Sequence, residues 1–224
     1  TESEQYSAFN LFFDKKDYPI IQDTYSVIGC WAWGLSRALD CLENEPLINP
    51  EEVIVHGHSR LGKTSLWAGA IDQRFRMVIS NNSGCGGATL HKRKFGENLS
   101  QHFEAHEEWG TPAWFVRKCK TYVWKEEEMP FDQHELLALI APRPLALGTA
   151  EDDHNADPKG EFLALKAAEE VYKLFGSKGI NLKEMPKVNS SYTGDLNFHY
   201  RSGKHAMLPE DWQQYFKFVE QNLK

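Results

Sequence analysis

The segment Gly57-His58-Ser59-Arg60-Leu61-Gly62-Lys63-Thr64 supports two chemistries. As G-x-x-x-x-G-K-[ST], it is the loop whose backbone N–H groups cradle phosphates, with Lys63 reaching the terminal phosphate of a nucleotide. As G-x-S-x-x-G, it is a variant nucleophile elbow, in which a serine is lifted on a sharp strand-to-helix turn above the end of a sheet. The rest of the chain discriminates. An NTPase needs a later apolar strand ending in a magnesium-holding Asp. The next apolar run, Met77-Val78-Ile79-Ser80, ends instead in Asn81-Asn82, and the acidic cluster further on is a poor substitute. A serine hydrolase needs an acid after a later strand and then a His near the C-terminus. Here Glu151-Asp152-Asp153 follows Pro144-Leu145-Ala146-Leu147-Gly148, and Arg201-Ser202-Gly203-Lys204-His205 forms a Gly-containing loop before the last helical stretch. Each signal alone is ordinary, since acidic runs are usually solvated and His205 is one of 9 histidines. Their order, Ser then acid then His, is what points to acyl transfer.

The residue types fit that chemistry. A serine hydroxyl is a poor nucleophile at neutral pH, so His205 must take the proton of Ser59 while a carboxylate fixes the imidazole tautomer. No metal or cofactor is required. Arg60 and Lys63 beside the serine suit a polar ester better than a long aliphatic one. Cys30, Cys41, Cys85 and Cys119 show no C-x-x-C and no zinc-type spacing, and could form two disulfides or none.

These groups need elements to hold them. The run from Thr24 to Leu42 has helical spacing with Asp23 as a candidate N-cap, after irregular residues 1–22. Glu52 to His56 reads as a strand ending at Gly57, with a helix from about Leu61 and a strand at Met77–Ser80. Residues 88–132 read as a long excursion. A short helix from Gln133 to Ile140, a strand at Pro144–Gly148 and an amphipathic helix from Gly160 to Phe175 follow. Asn181-Leu182-Lys183 is expected to open a last strand, and Pro209 to Leu223 to form the final helix. This alternation implies an α/β fold with a mostly parallel sheet. The 224 residues, 41% of them apolar, suffice for one core. A net charge of −7 argues against a nucleic-acid partner. No stretch approaches the roughly 20 apolar residues that cross a bilayer, and Thr1-Glu2-Ser3-Glu4 is no signal peptide.

The blocks WAWGLSRALDCLE, VIVHGHSRLGKTSLWAGAIDQRF, VISNNSGCGGATL, KRKFGEN, QHELLALIAPRPLAL, AEDDHNADPKGEFLALKAAEEVY and HYRSGKH, taken together and in this order, resemble the glucuronoyl esterases of carbohydrate esterase family 15, the bacterial members in particular. The resemblance implies an α/β-hydrolase three-layer sandwich. It also implies cleavage of the ester between 4-O-methyl-glucuronic acid on glucuronoxylan and a lignin alcohol, with neither nucleic acid nor membrane as partner and a secreted or periplasmic location. By resemblance Ser59 is the nucleophile, His205 the base, and Arg60 the residue facing the developing oxyanion. Lys63 and Glu97 match positions that hold sugar hydroxyls. Some members place the acid where this chain has Asn82, an amide; the other family location matches Asp153, taken here as the acid with Glu151 as the alternative. Members often carry a Trp two residues after that acid to stack on the uronic ring, and the position here is Asn155. Trp114, in the block PAWF, is assigned no role.

The family fold begins with several strands before the nucleophile strand, yet only a helix and irregular residues precede Glu52. The strand EVIVH is then expected to have an unpaired edge. Residues 1–224 accordingly read as one catalytic domain forming the C-terminal portion of a longer one, a fragment or cleaved piece. Two alternatives stand beside the esterase: a P-loop NTPase, and a catalytically silent carbohydrate-binding relative that keeps the fold.

Overall fold

The computed structural model describes residues 25–104 and 114–223. The irregular reading of residues 1–22 and the Asp23 cap lie outside them. Helix α1, Val27–Leu42, starts later than the spacing suggested. Its cap is Ser26, whose hydroxyl accepts the Gly29 N–H at 2.9 Å, and its buried face is Ile28, Ala32, Ser36 and Leu39. It packs along α2, Arg60–Ile71.

The sheet has strands β1 (Ile54–His58), β2 (Met77–Asn81), β3 (Leu145–Ala150), β4 (Ser190–Tyr192) and β5 (Leu196–Arg201), in the order β1-β2-β3-β5-β4. All neighbours are parallel except β4, which runs antiparallel to β5. Helix α3 is Leu99–Glu104, α4 is Gln133–Ala138, α5 is Pro158–Leu174 and α6 is Pro209–Asn222. One sheet face is covered by α1, α2, α4 and α5 around Leu39, Leu66, Val78, Leu147, Phe162 and Phe198. The other is covered by α6, whose Tyr215 and Phe218 meet Met77, Ile79 and Ala146. Phe198, 0% exposed, packs against Phe162 with ring centroids 5.3 Å apart; truncating it to Ala would cost about 3–5 kcal/mol.

Two expectations are corrected. Asn181–Lys183 form no strand: Asn181 sits at φ 50°, a left-handed conformation that interrupts an extended chain. The last strand of the parallel set is instead Leu196–Arg201, where buried Asn197, His199 and Arg201 obscure the apolar pattern. The excursion at 88–132 has short 3₁₀ turns at His91–Arg93, Arg117–Tyr122 and Glu126–Glu128. Its Leu99, Phe103 and Met129 close with Cys85 on a small separate core. All four cysteines are free thiols. Strand β1 ends the sheet, and no strand pairs with its outer edge among the described residues. Among those residues, too, no helix is long and apolar enough to cross a membrane.

The register decides where the chemistry goes. His58 pairs with Asn81, Asn81 with Gly148, and Ala150 with Arg201, so β1, β2, β3 and β5 finish at one edge. Ser59, Asn82, Asp153 and His205 all follow those strand ends, the place where open parallel sheets carry their sites.

Candidate active site

Ser59 stands at φ 59°, ψ −128° between β1 and α2, a conformation that costs a non-glycine residue about 1–3 kcal/mol and persists only where its surroundings enforce it. The enforcement is visible. The Ser59 N–H donates to the Asn81 carbonyl at 2.8 Å, and the Lys63 N–H to the Ser59 carbonyl at 3.1 Å. Gly57 lets the strand pass under the helix, since a Cβ there would run into the Leu61 carbonyl. The Ser59 side chain makes no capping bond to α2, so its hydroxyl is not committed to the helix. The other groups of the phosphate-loop pattern are engaged elsewhere: Thr64 Oγ1 donates to the Arg60 carbonyl at 3.0 Å, and the Lys63 ammonium is held as described below.

Asp153 and His205 meet as a pair, with Nδ1 of the imidazole 2.6 Å from Oδ2 of the carboxylate. The same Oδ2 accepts the Asn82 amide N–H at 2.6 Å. Burial works to raise the Asp153 pKa, but these two hydrogen bonds outweigh it and hold the carboxyl below its ordinary range. In return, the bond from Asp153 raises the His205 pKa above the ordinary imidazole value of 6.5. The loops carrying the pair are joined by their backbones, Glu151 N–H to the Arg201 carbonyl at 2.8 Å and Asp152 N–H to the Gly203 carbonyl at 3.0 Å. His58 lies ring to ring with His205 at 4.6 Å, its Nδ1–H donating to Asn81 Oδ1 at 2.7 Å. Burial lowers its pKa, which keeps a second positive charge away from His205.

Ser59, Asp153 and His205 line one cavity of about 240 Å³, and Lys63, Glu97 and Asn155 line it with them. Lys63, 3% exposed, donates to the Ser83 carbonyl at 2.6 Å, pairs with Glu97 at 3.2 Å and lies 5.4 Å from the centre of the Trp114 ring. Burial pushes the Glu97 carboxyl up, yet the bond from His102 and the charge of Lys63 overcome it and hold the pKa at about 2. Of the acid candidates, Glu151 is exposed and lies outside the cavity, whereas Asp153 faces His205. Arg60 is the first residue of α2 with an exposed side chain and does not line the cavity.

A family model described as glucuronyl esterase, fungi, matches residues 7–176. Carbohydrate esterase MZ0003, from an unknown prokaryotic organism, is 43% identical over 97% of this chain and 49% of its own length. The chain belongs to the glucuronoyl esterase family. A 4-O-methyl-glucuronoyl methylesterase 1 from Wolfiporia cocos is 34% identical over 68% of this chain and 38% of its own. Among solved structures, a glucuronoyl esterase from Solibacter usitatus superposes with a TM-score of 0.88 at 40% identity, covering 98% of this chain and 55% of that one. The sheet and its helix layers are those of the α/β-hydrolase fold. The chain spans about half the length of MZ0003 and of the Solibacter protein.

Within this glucuronoyl esterase chain the sequence leaves several pocket groups unread. Trp114, given no role by the sequence, lines the cavity beside Lys63 and brings an aromatic ring to the pocket that Asn155 also lines. His102, 3.2 Å from Glu97 Oε2, and Asn82, bonded to Asp153, brace residues that the sequence did identify. Glu161 on α5 accepts the N–H groups of Ser83 and Gly84, both at 2.9 Å, and so shapes the pocket floor. No local spacing signals these groups; their places depend on how the chain folds back on the sheet.

Proposed function

We propose that this chain carries the catalytic machinery of a serine esterase that hydrolyses the ester joining 4-O-methyl-glucuronic acid of glucuronoxylan to lignin alcohols. The observation that carries this reading is the short Asp153–His205 pair opening on the same cavity as the strained Ser59. His205 Nε2 takes the proton of Ser59 Oγ as the hydroxyl attacks the uronate carbonyl carbon. The tetrahedral oxyanion then collapses, and the alcohol leaves with the proton from His205. Water, deprotonated by the same imidazole, attacks the acyl-enzyme; its collapse restores Ser59 and frees the uronic acid. Asp153 stabilises the imidazolium formed in both halves. The N-terminus of α2, beginning at Arg60, offers backbone N–H groups and its dipole to the oxyanion.

The remaining pocket fits a sugar acid. The Glu97 carboxylate accepts from ring hydroxyls, Lys63 donates to them, and Trp114 offers a face to the C–H side of the pyranose. A polymeric substrate implies an exported enzyme. The test is hydrolysis of a benzyl glucuronate ester by the intact protein and by Ser59→Ala: activity is abolished in the variant. Full activity in Ser59→Ala refutes the assignment, and binding of glucuronoxylan oligosaccharides without turnover by the wild type points to a silent binding protein instead.

A further inference from the structure

The loop between β5 and α6 that carries His205 is held from inside the protein by a buried arginine and the aspartate behind it. Arg201, the last residue of β5, is 2% exposed. Its Nη1 donates to the Ser202 carbonyl at 2.9 Å, and its Nη2 to the carbonyls of Lys204 at 3.2 Å and Ala206 at 2.6 Å. Three peptide oxygens on the two sides of His205 thus converge on one planar group. Asp211 of α6, 0% exposed, fixes that group from behind, its Oδ1 and Oδ2 lying 2.9 and 3.1 Å from Arg201 Nε. It also accepts the Leu208 N–H at 2.7 Å, closing the loop's far end. Its last partner is His199 Nε2 at 3.0 Å, and Nδ1 of that ring accepts the Ser191 hydroxyl at 2.7 Å, so the network reaches from α6 across β5 to β4.

We propose that Arg201 is a positioning residue for His205. It sets the backbone on both sides of the imidazole so that Nδ1 meets Asp153 and Nε2 faces Ser59, which rests on reading His205 as the general base. The demand is for a fork rather than a charge. A lysine would still pair with Asp211, but its ammonium cannot serve three carbonyls lying in different directions. Those carbonyls would then seek other donors, and the loop would shift by about 1 Å to find them. Displacements on the scale of 1 Å cost about 100-fold in rate.

The experiment compares Arg201→Lys with wild type in the intact protein, using benzyl glucuronate ester hydrolysis normalised to folded protein and the strongly deshielded proton NMR signal of His205 Nδ1–H. The expected result is a kcat lowered about 100-fold with KM little changed, because Lys63, Glu97 and Trp114 stand on other elements, and loss of the deshielded signal. A purely structural role would lower the melting temperature but leave kcat per folded molecule and the signal as they are, which overturns the proposal. Should Arg201→Lys not fold, Asp211→Asn keeps the shape behind the guanidinium while weakening its hold; a fall in kcat of about tenfold with a shifted signal supports the proposal, and wild-type values overturn it. A wild type inactive on the ester, with the signal present and lost in either variant, sustains the positioning role and sinks the esterase reading alone.

Discussion

At Asp153 two donors share one oxygen, the His205 imidazole and the Asn82 amide. The arrangement keeps the carboxylate ionised and aimed, and it sets the pH dependence. His205 works as a base only when neutral, and its pKa is raised above 6.5 by Asp153. Activity is therefore lost as pH falls through a value higher than that of a free imidazole. In Asp153→Asn the raising partner is gone. The acid limb of the kcat/KM profile should move to lower pH and the plateau should fall about 10⁴-fold, as expected when a triad acid becomes an amide; rates measured across pH 5 to 9 check both. On the binding side, Trp114→Ala removes an aromatic face and the cation–π contact with Lys63. A rise in KM of about tenfold, from a loss of about 1–2 kcal/mol, should appear with a smaller change in kcat.

Among the elements, α5 supports the site from behind, through residues that line the cavity. Glu161 is fully enclosed, and its Oε1 takes the Ser83 N–H, the Ser83 hydroxyl and the Gly84 N–H. Burial pushes its pKa up to about 7. A carboxyl raised in the folded state contributes stability that is complete below its unfolded value near 4.5 and lost as pH rises through 7. Urea denaturation of Glu161→Gln and wild type should accordingly show the difference moving in favour of Gln between pH 5 and pH 8. Glu161→Ala strands two buried N–H groups and should cost about 2–5 kcal/mol. This contact also illustrates what the sequence revealed and what it hid. The order of Ser59, Asp153 and His205 was readable because strand ends and turn residues are local, and α/β alternation follows from periodicity. Strand Leu196–Arg201 was not, because its polar residues break the apolar pattern, and the partners of His199 and Arg201 lie on α6 and β4, away from the strand in sequence. Asn181–Lys183 looked extended by composition, yet Gly179 and Asn181 at φ 67° and 50° turn the chain there. Trp114, His102 and Glu161 enter the site only through tertiary packing, which no local pattern encodes.

For the molecule as a whole, β1 is the flank of the sheet that no strand pairs among the described residues. Trp212 on α6 packs 4.6 Å, ring to ring, from His56 of β1 with Phe216 beside it, and these two rings are exposed by 41% and 60%. Unpaired strand edges bordered by apolar surface recruit partners. The 224-residue chain on its own should elute above monomer mass in light-scattering chromatography, and a Trp212→Lys, Phe216→Lys double variant should shift it toward the monomer. The opposite end of the sheet behaves differently. There the two peptide hydrogen bonds from Glu151 and Asp152 to Arg201 and Gly203 lash the acid and the base into a single cassette. Glu97 and Trp114, which line the pocket, stand outside that cassette, so in the proposed esterase the proton-transfer groups and much of the binding wall are assigned to separate parts of the chain.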